Sequence, residues 1–203
     1  MIVIIDYGMG NLRSVEKKLI HLGAEVKISS DLDLIADASK LILPGVGHFA
    51  SGVKKLRDSG IWSLLNEKVL IEKIPILGIC LGMQLMATFS EEGHVVGLGW
   101  FDAKVVEFKI SDQLKYKIPH VGWNNTKLNK NSKLFLNVSE NAMYYFVHSY
   151  HFICNKKEDI LATTKYENPF ISSINKNNIY GTQFHPEKSH LWGEVIIKNF
   201  IAI

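Results

Sequence analysis

The chain has 203 residues, 47% of them hydrophobic, enough to bury a substantial core as one domain spanning residues 1–203. Its 23 basic and 20 acidic residues are interspersed, so the net charge of +3 marks no dedicated nucleic-acid surface. The longest nearly apolar run, residues 74–89, is interrupted by Pro75, two glycines and Gln84 and falls short of a membrane span; two distant cysteines without Cys-x-x-Cys spacing argue against a zinc site and suit a reducing, cytoplasmic compartment.

Met1-Ile-Val-Ile-Ile-Asp6 lacks a basic leader and a small-residue cleavage site and reads as a first strand, not a signal peptide. A glycine loop, Asp6-Tyr-Gly-Met-Gly-Asn-Leu12, leads into a helix with apolar residues at Leu12, Val15, Leu19 and Leu22, stopped by Gly23. Gly8-Met-Gly10 opens like a dinucleotide fingerprint, but Arg13 stands where the third glycine belongs, and no cofactor is expected. A second strand covers residues 25–28, a short helix follows Asp31, and residues 40–43 form a third strand. That strand runs into Pro44-Gly-Val-Gly-His-Phe49, with a helix from Phe49 through Val53 and Leu56 behind it. Glycines at a strand's carboxyl edge permit an N–H to be aimed into a cleft; equally, they serve in an ordinary βα turn.

Pro75-Ile-Leu-Gly-Ile-Cys-Leu-Gly-Met-Gln84 predicts a buried strand, a sharp turn at Cys80 and a helix over residues 81–89, with apolar positions at Leu81, Leu85, Met86 and Phe89. By itself Cys80 is either a small core hydrophobe or a nucleophile on a strand-to-helix elbow, where Gly78 and Gly82 remove clashing side chains. Residues 98–101 and 103–108 read as strands, which suggests a change from parallel βαβ units to antiparallel hairpins. Ile118-Pro-His-Val-Gly-Trp-Asn124 predicts a loop whose Trp123 is a lid or a partner contact. Residues 143–150, 160–166, 170–174 and 179–184 are β-rich, and the last of these delivers His185-Pro-Glu187 before a closing helix over 193–201.

Nucleophilic catalysis by Cys80 needs a base and a group that orients it. Of eight histidines, His185 stands out: it follows a strand, and in an extended segment Glu187, two residues on, points to the same side. His148 is the rival base but has no carboxylate at comparable spacing, so it reads as a cleft or structural residue. Singly, His21, His48, His94, His120, His151 and His190 read as structural or solvated.

Gly78-Ile-Cys-Leu-Gly-Met-Gln84 with Gln183-Phe-His-Pro-Glu-Lys188 resembles the class I glutamine amidotransferases. Residues 6–12, 44–49, 119–124 and Tyr145-Phe-Val-His-Ser-Tyr150 extend the resemblance, over essentially the whole chain, to the glutaminase subunits of imidazole glycerol phosphate synthase. The resemblance implies an α/β, flavodoxin-like three-layer fold with a mixed, mainly parallel central sheet and added antiparallel strands. It implies Cys80, His185 and Glu187 as catalytic residues, oxyanion donors at Leu81 and in the Gly45-Val46-Gly47 loop, and substrate contacts at Gly45, Gln84, Ser149 and Tyr150. It also implies glutamine as substrate, a TIM-barrel cyclase partner met near Asn11, Trp123 and Lys188, and neither metal nor cofactor.

One departure is Trp100-Phe-Asp-Ala103, where many histidine-pathway members carry an apolar pair followed by a Pro-Gly type turn. Closely similar subunits feed a cyclase-like barrel in bacterial surface-sugar biosynthesis, and a non-catalytic protein or a peptidase on the same fold are further alternatives. The intact Cys80, His185 and Glu187 speak against a non-catalytic protein, and the glutamine-binding and junction motifs speak against a peptidase.

Overall fold

The first strand, β1 (Ile2–Ile5), is buried on both faces: Val3 and Ile5 pack into one core, Ile2 and Ile4 into another. A strand with no polar alternation must lie between two layers. The computed structural model describes residues 1–203 and places β1 between β2 (Val26–Ser29) and β3 (Lys40–Gly45), with β4 (Ile76–Cys80) beyond β3. Chain order continues through β5 (Ala87–Ser90), β6 (Val95–Val96), β7 (Phe101–Glu107), β8 (His120–Asn125), β9 (Lys127–Leu128), β10 (Met143–His148) and β11 (Tyr150–Cys154). The last strands are β12 (Ile160–Lys165), β13 (Pro169–Lys176) and β14 (Ile179–Thr182). Strands β2-β1-β3-β4-β14 are mutually parallel; β13, β11 and β7 extend the sheet antiparallel, while β8 and β10 pair in a separate hairpin.

Helices α1 (Leu12–His21), α2 (Leu32–Ala36), α3 (Phe49–Asp58), α4 (Ile61–Asn66), α5 (Leu81–Gln84) and α6 (His190–Ala202) flank this sheet. Val15 and Leu19 of α1 join Ile196, Ile197 and Phe200 of α6 over one face. Ile35, Phe49, Val53, Leu56, Ile61 and Leu65 bring α2, α3 and α4 onto the other. The result is the anticipated three-layer α/β fold, each large apolar side chain contributing about 1.5–3 kcal/mol on burial. No helix is long and apolar enough to cross a membrane.

Four local expectations are corrected. The helix anticipated over 81–89 stops at Gln84, and Ala87–Ser90 is strand β5. The backbone shows why: Leu98 N–H donates to the Leu85 carbonyl, Trp100 and Phe101 to that of Met86, and Gly99 to that of Ala87. Acceptors that would have continued the helix are thereby occupied by distant chain. For the same reason the strand expected from Leu98 begins only at Phe101. Residues 118–124, expected as a loop, contain strand β8, whose register sets Trp123 opposite Tyr145 and His120 opposite His148. Finally, His185 and Glu187 do not converge through an extended segment, because Pro186–Lys188 is a 3-10 turn. The segment 100–103 is built into the scaffold: Trp100 is buried with its indole N–H on Asn66 Oδ1 at 2.7 Å, and Phe101 and Ala103 are core.

Candidate active site

Three parallel strands deliver the site to one edge of the sheet. Cys80 ends β4 opposite Gly45 of β3, and on the other side β14 pairs Thr182 with Ile79, so Gln183, Phe184 and His185 leave the sheet beside the cysteine. Cys80 has φ 54° and ψ −109°, a left-handed backbone that costs a non-glycine residue about 1–3 kcal/mol. Close packing holds it there. A Cβ on Gly82 would collide with the Leu43 carbonyl oxygen, one on Gly78 would come within 2.7 Å of Met83 N, and one on Gly45 within 2.9 Å of Leu81 Cβ. The spacing Gly-x-Cys-x-Gly is thus a steric requirement of the elbow. Behind it Tyr7, buried, donates its hydroxyl to the Pro44 carbonyl at 2.8 Å and pins the start of the neighbouring glycine loop; burial pushes its phenol well up.

His185 Nδ1 lies 2.8 Å from Glu187 Oε1, and both side chains are buried. Pro186 opens the turn that carries Glu187 back, and the His185 backbone is fixed by its own N–H on the Tyr145 carbonyl and by Ser189 Oγ on its oxygen. Nε2, the other ring nitrogen, is buried and makes no hydrogen bond. Burial is the largest influence on this ring and opposes its charge, yet the Cys80 sulfur and the Glu187 carboxylate together outweigh it and raise His185 to about 10. At neutral pH this is an imidazolium beside a cysteine.

A cleft of about 430 Å³ opens over Cys80. Val46, Gly47, Leu81, Gln84, Ser149 and Tyr150, positions that the resemblance implies, line it, while Gly45, the last residue of β3, does not. His148 is in the wall but is not free to act as the base: Nδ1 is 2.8 Å from the Tyr150 carbonyl oxygen and Nε2 is 3.2 Å from His120 Nδ1. Burial holds His148 down at about 3 and His120 at about 4. His120, treated in the sequence as structural or solvated, is buried among Phe108, Phe146, Tyr166 and Phe170.

Two site residues escaped the sequence reading. Gln183 is fully buried with its amide nitrogen 3.6 Å from Cys80 Sγ; its place two residues before His185 was the available signal. Glu92 lines the cleft and accepts the Phe49 N–H through Oε2 at 2.7 Å. Nothing local marks it, since its approach depends on strand β5, which stands where the helix was expected, and on the turn after it. No group of histidine, cysteine and carboxylate side chains is arranged to hold a metal.

The three positions anticipated at a junction lie in two settings. Trp123 is 42% exposed on β8, stacked on His190 at 4.8 Å, and Lys188 Nζ lies over the ring of Tyr145, which Trp123 also touches edge-on. Val121, two residues before Trp123 on the same face of β8, is also exposed. Asn11 caps α1, its Oδ1 accepting the Ser14 N–H at 3.3 Å.

Residues 3–203 match the family model for glutamine amidotransferase class-I. The chain is 53% identical, over 99% of its length and 98% of the relative's, to imidazole glycerol phosphate synthase subunit HisH 2 of Methanococcus maripaludis. It is 42% identical to the subunit HisH 2 of Pseudomonas aeruginosa over the whole of both chains. The fold is shared with the solved structure of PurLQS from Thermotoga maritima, at 17% identity and a TM-score of 0.70, covering 99% of this chain and 97% of that one.

Proposed function

Because this chain belongs to the class I glutamine amidotransferases, among the HisH subunits of imidazole glycerol phosphate synthase, we propose that it is the glutaminase subunit of that enzyme, hydrolysing glutamine and passing the ammonia to a cyclase subunit in histidine biosynthesis. One observation carries the mechanistic reading: Cys80 sits on a strained elbow beside a buried His185–Glu187 pair, under a cleft bounded by a glycine loop.

In this mechanism the Cys80 sulfur attacks the side-chain carbonyl carbon of glutamine. His185 delivers its proton to the departing nitrogen, ammonia leaves, and a thioester remains. His185, now neutral, takes a proton from water, and the hydroxide so formed releases glutamate. Glu187 holds the imidazole in the tautomer that presents Nε2 to the reacting atoms and stabilises its charged form. The oxyanion is met by the Leu81 N–H at the elbow and by an N–H of the Gly45-Val46-Gly47 loop. Gln84, Ser149 and Tyr150 border the substrate, and the Glu92 carboxylate at the cleft wall suits its α-ammonium.

Ammonia is mostly ammonium at neutral pH and is a poor nucleophile in that form, so the product is useful only if handed on directly. The exposed Val121 and Trp123, continuous with Tyr145 and Lys188, give an apolar and cationic surface suited to a TIM-barrel cyclase; Asn11, at the cap of α1, is the further contact that the resemblance implies. The test is complementation of a histidine auxotroph lacking its own glutaminase subunit, with the cognate barrel co-expressed. Growth without histidine supports the assignment; no growth from a soluble, glutaminase-active pair redirects it to the surface-sugar barrel. The reason to keep that second acceptor in the experiment is that M. maripaludis has two HisH subunits, and this chain is 53% identical to the one numbered 2 and 44% to the one numbered 1.

A further inference from the structure

A continuous hydrogen-bonded chain runs from His120 to the sulfur of Cys80, and one atom fixes its polarity. A carbonyl oxygen only accepts, so at Tyr150 the facing ring nitrogen of His148, Nδ1 at 2.8 Å, carries a hydrogen, and the Gln84 atom at 2.9 Å is the amide nitrogen. Each assignment propagates outward. Neutral His148 with its hydrogen on Nδ1 has a lone pair at Nε2, so His120 Nδ1, 3.2 Å away, is the donor there. On the other side Gln84 places its second amide hydrogen on an oxygen, Gln183 Oε1 at 3.0 Å, which turns the Gln183 amide nitrogen toward Cys80 Sγ at 3.6 Å. His120, His148, Gln84, Gln183 and Cys80 are all buried. Reversing the Gln183 amide would set two N–H donors against each other and an oxygen against the sulfur, with both mismatches shielded from solvent.

We propose that Gln183 is a further catalytic residue whose amide N–H donates to the Cys80 thiolate, and that His148 and Gln84, meeting at the Tyr150 carbonyl, are positioning residues that hold this donor in its productive orientation. The inference rests on the reading of Cys80 as nucleophile. An N–H directed at a sulfur favours the ionised form, and the same bond persists or loosens as the sulfur becomes a neutral thioester, so its effect falls mainly on the attacking state.

The experiment is the pH dependence of Cys80 alkylation by iodoacetamide in the full chain, read by mass spectrometry of the Cys80 peptide so that Cys154 does not interfere. Gln183→Met removes the donor, and Gln183→Glu replaces it with a carboxylate oxygen. The alkylation midpoint is expected to rise in both, by about one pH unit or more in the glutamate variant. His148→Asn, whose amide nitrogen stands where Nδ1 does, is expected to keep the wild-type midpoint, whereas His148→Leu raises it. Should a variant fail to fold, ¹⁵N NMR of the wild-type chain decides: His148 is expected as the Nδ1–H tautomer. A midpoint unchanged in both Gln183 variants, or a His148 carrying its hydrogen on Nε2, overturns the proposal. Alkylation does not require glutamine, so a chain that shows the expected shifts yet never hydrolyses glutamine retains the donor while refuting the glutaminase reading.

Discussion

Nδ1 of His185 stands 2.8 Å from Oε1 of Glu187 across a single 3-10 turn, with both side chains out of solvent. Glu187→Gln keeps the shape but removes the charge that helps hold His185 protonated. Glutamine turnover is expected to fall about 10²-fold or more, with synthesis from added ammonia by the assembled complex little changed. Steady-state assays with each nitrogen source check this; equal losses with both would point to misfolding instead of lost acid–base chemistry.

Cys80→Ala is expected to abolish glutamine-dependent turnover altogether and to leave ammonia-supported synthesis nearly intact, because only thioester formation uses the sulfur. Alanine at φ 54° keeps the same backbone strain, so the elbow itself is not relaxed by the change. Glutaminase activity at the wild-type rate in this variant would remove Cys80 from the mechanism.

Gly47 has φ +113°, and a Cβ there would come within 2.9 Å of Met9 Cε. A loop with this freedom can shift between conformations that do and do not present an oxyanion donor, and a liganded partner that favours the competent one raises activity by population shift. The isolated chain is therefore expected to hydrolyse glutamine slowly and to accelerate by orders of magnitude with its liganded partner. Gly47→Ala is expected to lower the accelerated rate by about 10²-fold, the scale of one lost donor. Equal turnover of the free chain and the liganded complex would refute the coupling.

His120 and His148, held at about 4 and about 3 chiefly by burial, are neutral in the folded chain but protonate near 6.5 when unfolded. His151 and His185 also face His148 and oppose its charge. The stability tied to neutral His120 and His148 is fully present above pH ~6.5 and is lost as pH falls through about 4 and about 3. His185 has the opposite sign: raised to about 10, it contributes below ~6.5, and that contribution is lost as pH rises through about 10. Urea midpoints measured from pH 4 to 10 are expected to fall on the acid side, and His120→Phe to flatten that limb; an unaltered acid limb would show that the pair does not govern it.

Trp123, stacked on His190 and 42% exposed, is expected to matter for assembly more than for chemistry. Trp123→Ala should weaken association with the barrel, or uncouple glutamine hydrolysis from synthesis by leaking ammonia, with little effect on the unassisted glutaminase rate. Titration calorimetry and the ratio of glutamate formed to product made separate the two effects.

Several features were legible in the residues alone because their causes are local. Two-faced apolar runs at residues 2–5, 41–43 and 76–79 require strands between layers, and Gly78 beside Cys80 is demanded by its close approach to Gly82 and Met83 in the turn that follows. His185 and Glu187 are neighbours in sequence, so their pairing could be anticipated even though the turn that joins them was not. What lay beyond the sequence depends on chain that is remote until folding brings it in. The helix expected past Gln84 is ended by N–H groups from residues 98–101, and Glu92 reaches the cleft only as a result. The link from His120 to Cys80 joins segments up to 103 residues apart, through bonds whose direction is fixed at the Tyr150 carbonyl. Periodicity reports which faces are buried; it carries no information on which buried polar atoms will meet, because that is decided by satisfying every donor and acceptor at once in the packed interior.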